Sequence, residues 1–253
     1  MSDDIRPEIA VVCTAFKRPD YSRQSLNALA VALEALGRDV PIHLHVEPGS
    51  DEVMALCEAF CRRFHGGTTL VRNRERLGVN ANTLAAINAG FARGDVDYVC
   101  LIEDDVVLAA DGLTFLAWAA AQFWDDTRVL SATTYNREPA MPPPERWHEV
   151  RTRAWTHVWG FGIWRSRWAM IRNQVGRGRM SWDCDVNAAR ERAGLREAFP
   201  VLSRCNNVGV LSSAAHVNSP PPEFYAEWHV LKFHAGQVDV PLGEFRLANE
   251  VRA

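Results

Sequence analysis

Three acids in a row, Glu103-Asp104-Asp105, follow the apolar run Tyr98 to Ile102, which reads as a buried strand. Adjacent carboxylates repel one another unless a cation or hydrogen-bond donors offset their charge. Open α/β sheets bind ligands beyond the carboxyl ends of their strands, and the triplet falls at such an end. Its hard oxygen ligands suit Mn2+ or Mg2+, and Mg2+ commonly sits between one or two carboxylates and substrate phosphates. An ion there would neutralise charge developing on a diphosphate leaving group. The plainer reading of the same residues is an acidic turn that caps the next element.

The elements that must position this triplet are legible in the first half. Short apolar runs predict strands over Ile9 to Thr14, Ile42 to Glu47, Thr68 to Arg72 and Tyr98 to Ile102. Helical spacing predicts helices over Tyr21 to Leu36, Asp51 to Phe64 and Asn80 to Phe91, two of them stopped by Gly37 and Gly66-Gly67. Strands alternating with helices give an α/β fold with a mostly parallel sheet covered on both faces. The second half is less regular. A strand is predicted over Val129 to Thr134, an extended loop over Pro139 to Arg146, and a helix over Glu223 to His234. With no repeat and no linker, the chain reads as one domain. Residues 8–106 form a nucleotide-binding half, 107–235 an acceptor and catalytic half, and 236–253 a tail.

Composition bounds the classes. The 253 residues are 47% hydrophobic and 23% charged, ordinary values for a globular domain with a substantial core. No apolar run is long enough for a membrane span, and Met1-Ser2-Asp3-Asp4 lacks the basic and apolar regions of a secretion signal. The expected address is the cytoplasm. Of the six cysteines only Cys57 and Cys61 are close in sequence, so reduced, buried thiols are expected rather than a zinc site. A net charge of −3 gives no global attraction for nucleic acid. Between Arg146 and Arg204, however, twelve arginines face five acids, a local excess of +7. That stretch reads either as a face for an anionic ligand or as a solvated basic surface.

Arg76-Leu77-Gly78-Val79-Asn80, Asn88-Ala89-Gly90-Phe91 and the segment Asp97 to Asp105 together resemble the GT-A superfamily of nucleotide-sugar glycosyltransferases, as does Val11 to Pro19. Trp159-Gly160-Phe161-Gly162 onward resembles a bacterial sugar-transferase motif. Trp182-Asp183-Cys184-Asp185, Pro200 to Arg204, Asn207-Val208-Gly209 and His216 are similar to the N-acetylglucosaminyltransferase I family. The resemblance runs from about residue 8 to 235.

It implies a GT-A, Rossmann-like fold and a metal-dependent, inverting transfer of a sugar from a nucleotide sugar, with a UDP-sugar favoured. By the resemblance, Thr14 and Arg18 on the first strand and loop, and Glu47 after the second strand, contact the nucleotide, with Asn80 on the diphosphate side. Asp105 is the implied metal ligand, with Glu103 and Asp104 toward the donor sugar, the ribose or the ion's outer contacts. His216 is either a second ligand or a structural histidine. An aspartate of the Trp-Asp region would take the acceptor proton, since a sugar hydroxyl is a poor nucleophile. Asp185 is the first candidate and Asp183 the second, and both equally fit a helix start. The six tryptophans from Trp147 to Trp182 read as core or as a sugar platform, and Gly160 and Gly162 as close approach to a ligand or as a strand bulge. The acceptor is a hydroxyl on a glycan, a protein or a hydroxymethylated DNA base. The competing functions are a nucleotidyltransferase of the same fold class, disfavoured by the absence of glycine in Cys13 to Pro19, and a non-catalytic nucleotide- or carbohydrate-binding module.

Overall fold

The computed structural model describes residues 7–136, 141–176, 181–209 and 243–248. The first half alternates as the pattern predicts: β1 (Ile9–Ala15), α1 (Pro19–Leu36), β2 (Ile42–Val46), α2 (Asp51–Arg63), β3 (Thr68–Arg72), α3 (Gly78–Gly90) and β4 (Tyr98–Glu103). Then come β5 (Val106–Leu108), α4 (Gly112–Gln122), β6 (Val129–Thr133), β7 (Glu149–Arg153), β8 (Phe161–Trp164), α5 (Arg165–Ile171), α6 (Trp182–Arg192), β9 (Arg196–Pro200), β10 (Cys205–Asn207) and β11 (Arg246–Leu247).

Nine strands form one sheet in the order β11-β7-β9-β6-β8-β4-β1-β2-β3, and β5 pairs with β10 separately. Within the large sheet β8 runs antiparallel to β4 and β6, and β7 antiparallel to β9; every other pairing is parallel. A mixed, mostly parallel sheet flanked by helices is therefore the architecture. Strand β1 is buried along both faces, which is why its sequence is a continuous apolar run rather than an alternating one. Val11 and Cys13 pack in one core with Leu29, Leu33, Val53 and Cys57 from α1 and α2. Ala10 and Val12 pack in the other with Ala86 and Ile87 of α3.

The second half builds onto the sheet through β8. Gly162 sits in this strand, and a Cβ there would lie 2.0 Å from the Tyr98 hydroxyl. Gly160 has φ +59° and a Cβ position 1.9 Å from Thr134 Oγ1. Both glycines therefore serve close packing within the sheet. Trp164, Trp168 and Trp182 are core residues, whereas Trp155 is half exposed.

Several guanidiniums of the arginine-rich stretch have internal partners, while Arg172, Arg192 and Arg196 are exposed. Arg204 is fully buried on Asp111 at 2.8 Å, and buried Arg167 donates to the carbonyls of Phe123, Trp124 and Asp126. Arg165 donates to Val96, Phe91 and Arg93 carbonyls, Arg190 to Leu195, and Arg153 pairs with buried Glu197. These guanidiniums tie loops to the sheet. Four of the cysteines are buried and all six are free among the described residues. No described helix is long and apolar enough to cross a membrane. In the segment read as a tail, Arg246–Leu247 pairs in parallel with β7. The helix predicted over Glu223 to His234 lies outside the described residues.

Candidate active site

Strands β1 and β4 end side by side, with Thr14 opposite Glu103. The chain leaves β1 through Phe16 and enters α1 at Pro19, placing Arg18 directly over the end of β4. Arg18 Nη1 lies 2.8 Å from Asp105 Oδ2, and Nη2 pairs with Asp104 Oδ1. The other oxygen of Asp104 accepts from the Phe16 amide at 3.0 Å. Asp105 Oδ1 accepts from Asn207 Nδ2 at 3.3 Å, because pairing of β10 with β5 brings Asn207 alongside the triplet. From below, Ser25 Oγ on α1 reaches the carbonyls of Glu103 (3.0 Å) and Val106 (2.8 Å) and fixes the backbone of the triplet.

Electrostatics follow from this crowding. Burial, and then the charges of Asp105, Asp183 and Asp104, push the Glu103 carboxyl well above its ordinary range. Burial also raises Asp104, against the pull of Arg18. For Arg18 burial disfavours the charge, but Asp104 and Asp105 more than offset it and hold the group above its usual value.

The remaining sequence-derived residues fall around this centre. Asp183, in the first turn of α6, is half-buried and near enough for its charge to act on Glu103. Asp185, two residues on, is buried and accepts from the Gly176 amide at 2.8 Å, which anchors the loop before α6. The two aspartates are therefore not equivalent. Asn80 Oδ1 accepts from the Trp182 amide at 2.9 Å, joining the start of α3 to the start of α6. Glu47 is buried, and its two oxygens accept from the amides of Leu77 (2.9 Å) and Gly78 (2.8 Å), so it seats the amino end of α3. Thr14 is half-buried between Glu103 and His45 on the flanking strands. His216 lies outside the described residues. Ser25 and the Phe16 amide carry no sequence signal. Asn207 belongs to a quoted motif, but its partner is visible only once β10 pairs with β5.

The carboxylates are chemically suited to a hard divalent ion, and among the described residues they outnumber the one cation, Arg18, that pairs with them. Among the described residues, though, no three His, Cys, Asp or Glu side chains are grouped to hold a metal, and both acids of the pair are engaged by Arg18. The donor set fits Mn2+ or Mg2+ only with Arg18 withdrawn.

No protein-family model and no curated protein matches the chain. Solved structures do. The mannosyltransferase PcManGT from Pyrobaculum calidifontis, in complex with GDP-Man and Mn2+, is similar with a TM-score of 0.56 and 15% identity. The likeness covers 86% of this chain and 67% of that one. S. aureus TarS 1–349 in complex with UDP-GlcNAc gives a TM-score of 0.58 at 12% identity, covering 87% of this chain and 64% of that one. A further structure of TarS 1–349 gives 0.53 at 11%, over 78% and 59%. The chain thus spans about two thirds or less of the length of these proteins. At such identities the likeness defines the fold, and that fold is the GT-A, Rossmann-like fold of glycosyltransferases.

Proposed function

We propose that the chain is a divalent-metal-assisted glycosyltransferase that moves a sugar from a nucleoside-diphosphate sugar to an acceptor hydroxyl with inversion. The observation that carries this reading is the gathering of Glu103, Asp104 and Asp105 at the end of β4, beneath Arg18 and facing Asp183, on a glycosyltransferase fold. Mn2+ or Mg2+, when bound, supplies Lewis-acid neutralisation of the diphosphate. Asp105 is its proposed ligand, with His216 as a second. Asp104 fixes the loop after β1 through the Phe16 amide, and Glu103 borders the donor sugar. Thr14 and Arg18 line the nucleotide side, and Glu47 and Asn80 hold the α3 end against it.

Asp183 is the better candidate for the base that takes the acceptor proton, because Asp185 is buried and bound to Gly176. Removing that proton while the acceptor oxygen attacks the anomeric carbon, opposite the departing diphosphate, gives inversion. The acceptor in this reading is a hydroxyl on a glycan, a protein or a hydroxymethylated DNA base, and the internal partners of Arg153, Arg165, Arg167, Arg190 and Arg204 weaken the charge argument for DNA. The resemblance to N-acetylglucosaminyltransferase I favours a uridine donor, and the fold neighbours carry GDP-Man and UDP-GlcNAc. Thermal melting with UDP-GlcNAc, UDP-glucose and GDP-mannose, with and without Mn2+, tests the reading. One donor is expected to raise Tm by several degrees with Mn2+; stabilisation by none, in either condition, contradicts it.

A further inference from the structure

We propose that Arg18 couples ion binding to diphosphate binding: its guanidinium and a divalent ion compete for Asp104 and Asp105, and the displaced guanidinium meets the diphosphate. The inference rests on the nucleotide-sugar reading above. Each of the four oxygens of this acid pair already has a protein donor: the two guanidinium nitrogens, the Phe16 amide and Asn207 Nδ2. One guanidinium spans both carboxylates. An ion at about 2.0–2.2 Å from those oxygens takes the same lone pairs and repels the guanidinium.

The described surroundings pack closely on the ion pair. The Gly209 amide donates to Asn207 Oδ1 at 2.9 Å, folding this turn over the ion pair. A Cβ at Gly209 would lie 2.2 Å from Asp105 Oδ2 and 2.8 Å from Arg18 Nη1. The buried acids, in turn, cannot lose Arg18 without a replacement, because breaking a buried pair leaves uncompensated charge. A divalent ion provides that replacement. Arg18 is the more exposed member of the pair, with its side chain 24% accessible against 7% and 9% for Asp104 and Asp105. Once freed it stands beside the strand end, and its planar fork matches phosphate oxygens. Linkage then requires the nucleoside diphosphate to raise the affinity for the ion by the factor the ion raises that for the nucleotide.

Mn2+ titration of the full chain, read by loss of the free-ion EPR signal, tests this in the wild type, Arg18→Gln, Arg18→Lys and Asp105→Asn, with and without UDP or GDP. Arg18→Gln is expected to bind Mn2+ about tenfold more tightly than the wild type without nucleotide, with Arg18→Lys between them. A nucleotide is expected to raise Mn2+ affinity about tenfold in the wild type and much less in Arg18→Gln. Should Arg18→Gln fail to fold, Arg18→Lys, whose single ammonium replaces the two-nitrogen fork on the acids, carries the comparison. Equal or weaker Mn2+ binding by the Arg18 variants, with binding lost in Asp105→Asn, overturns the coupling and leaves the ion site standing. No Mn2+ bound by any protein, with or without nucleotide, overturns both.

Discussion

Asn80 and Trp182, 102 residues apart, are joined by a 2.9 Å bond from the Trp182 amide to Asn80 Oδ1. The bond ties the first turn of α3, on the side proposed to hold the nucleotide, to the first turn of α6, where Asp183 stands. Removing it in Asn80→Ala leaves α6 free to shift by a fraction of an ångström while the sheet stays intact. A misplacement of about 1 Å costs roughly 100-fold in rate. Steady-state kinetics are expected to show kcat lowered about 10- to 100-fold, with the donor KM changed less.

The two α6 aspartates separate by what each one touches. Asp183→Asn is expected to lower kcat at least about 100-fold while leaving the melting temperature and donor affinity near wild type. Asp185→Asn weakens the bond that holds Gly176 and is expected to cost about 1–3 kcal/mol of stability, with kcat of the folded enzyme within a few-fold. Paired kinetics and urea denaturation check both, and the reverse pattern would hand the base role to Asp185.

His45 gives the fold an acid limit. It is buried in β2, and among the described residues neither ring nitrogen has a hydrogen-bond partner. Burial, and then the charge of His43, lower its pKa from 6.5 to about 4. The folded state thus prefers the neutral ring, so this contribution is fully present above pH 6.5 and is lost as the pH falls through about 4. Across that window the loss reaches about 3 kcal/mol, with uptake of about one proton on unfolding. Urea midpoints between pH 7 and pH 4 are expected to show a shallower slope in His45→Gln.

Gly162 tests how the second half is locked to the first. A methyl group there meets the buried Tyr98 ring, whose centroid lies 4.8 Å from that of Trp164, so neither aromatic can yield cheaply. Gly162→Ala is expected to cost about 3 kcal/mol, lowering Tm by about 10 °C. Relief by Tyr98→Leu, which removes the phenol atoms 2.0 to 2.6 Å from the new methyl, would identify the clash as the cause.

The contrast between the halves has a physical basis. Strands β1, β2 and β4 are largely buried runs bounded by turns, and the partly exposed edge strand β3 follows a glycine pair, so residue pattern alone locates all four to within a residue or two, and the acidic triplet with them. Helix α4 is nearly uniformly apolar and carries no amphipathic stripe, so it left no period to read. The glycines of Trp159-Gly160-Phe161-Gly162 looked like ligand approach or a bulge because Tyr98 and Thr134, which they accommodate, are distant in sequence. Arginines likewise look like surface charge until the carbonyls they bind are seen. The ordering of Asp183 over Asp185 depends on Gly176 and Glu103, contacts that spacing does not encode.

The acids at the end of β4 are proposed to serve sugar transfer from a nucleotide donor. The most direct test is release of nucleoside diphosphate from the stabilising donor with Mn2+, comparing wild type and Asp105→Asn at equal folded concentration. Steady release by the wild type is expected, with a loss of about 100-fold or more in the variant and the melting transition retained. Equal release by the two proteins, or none by the wild type with any donor that binds, would contradict it.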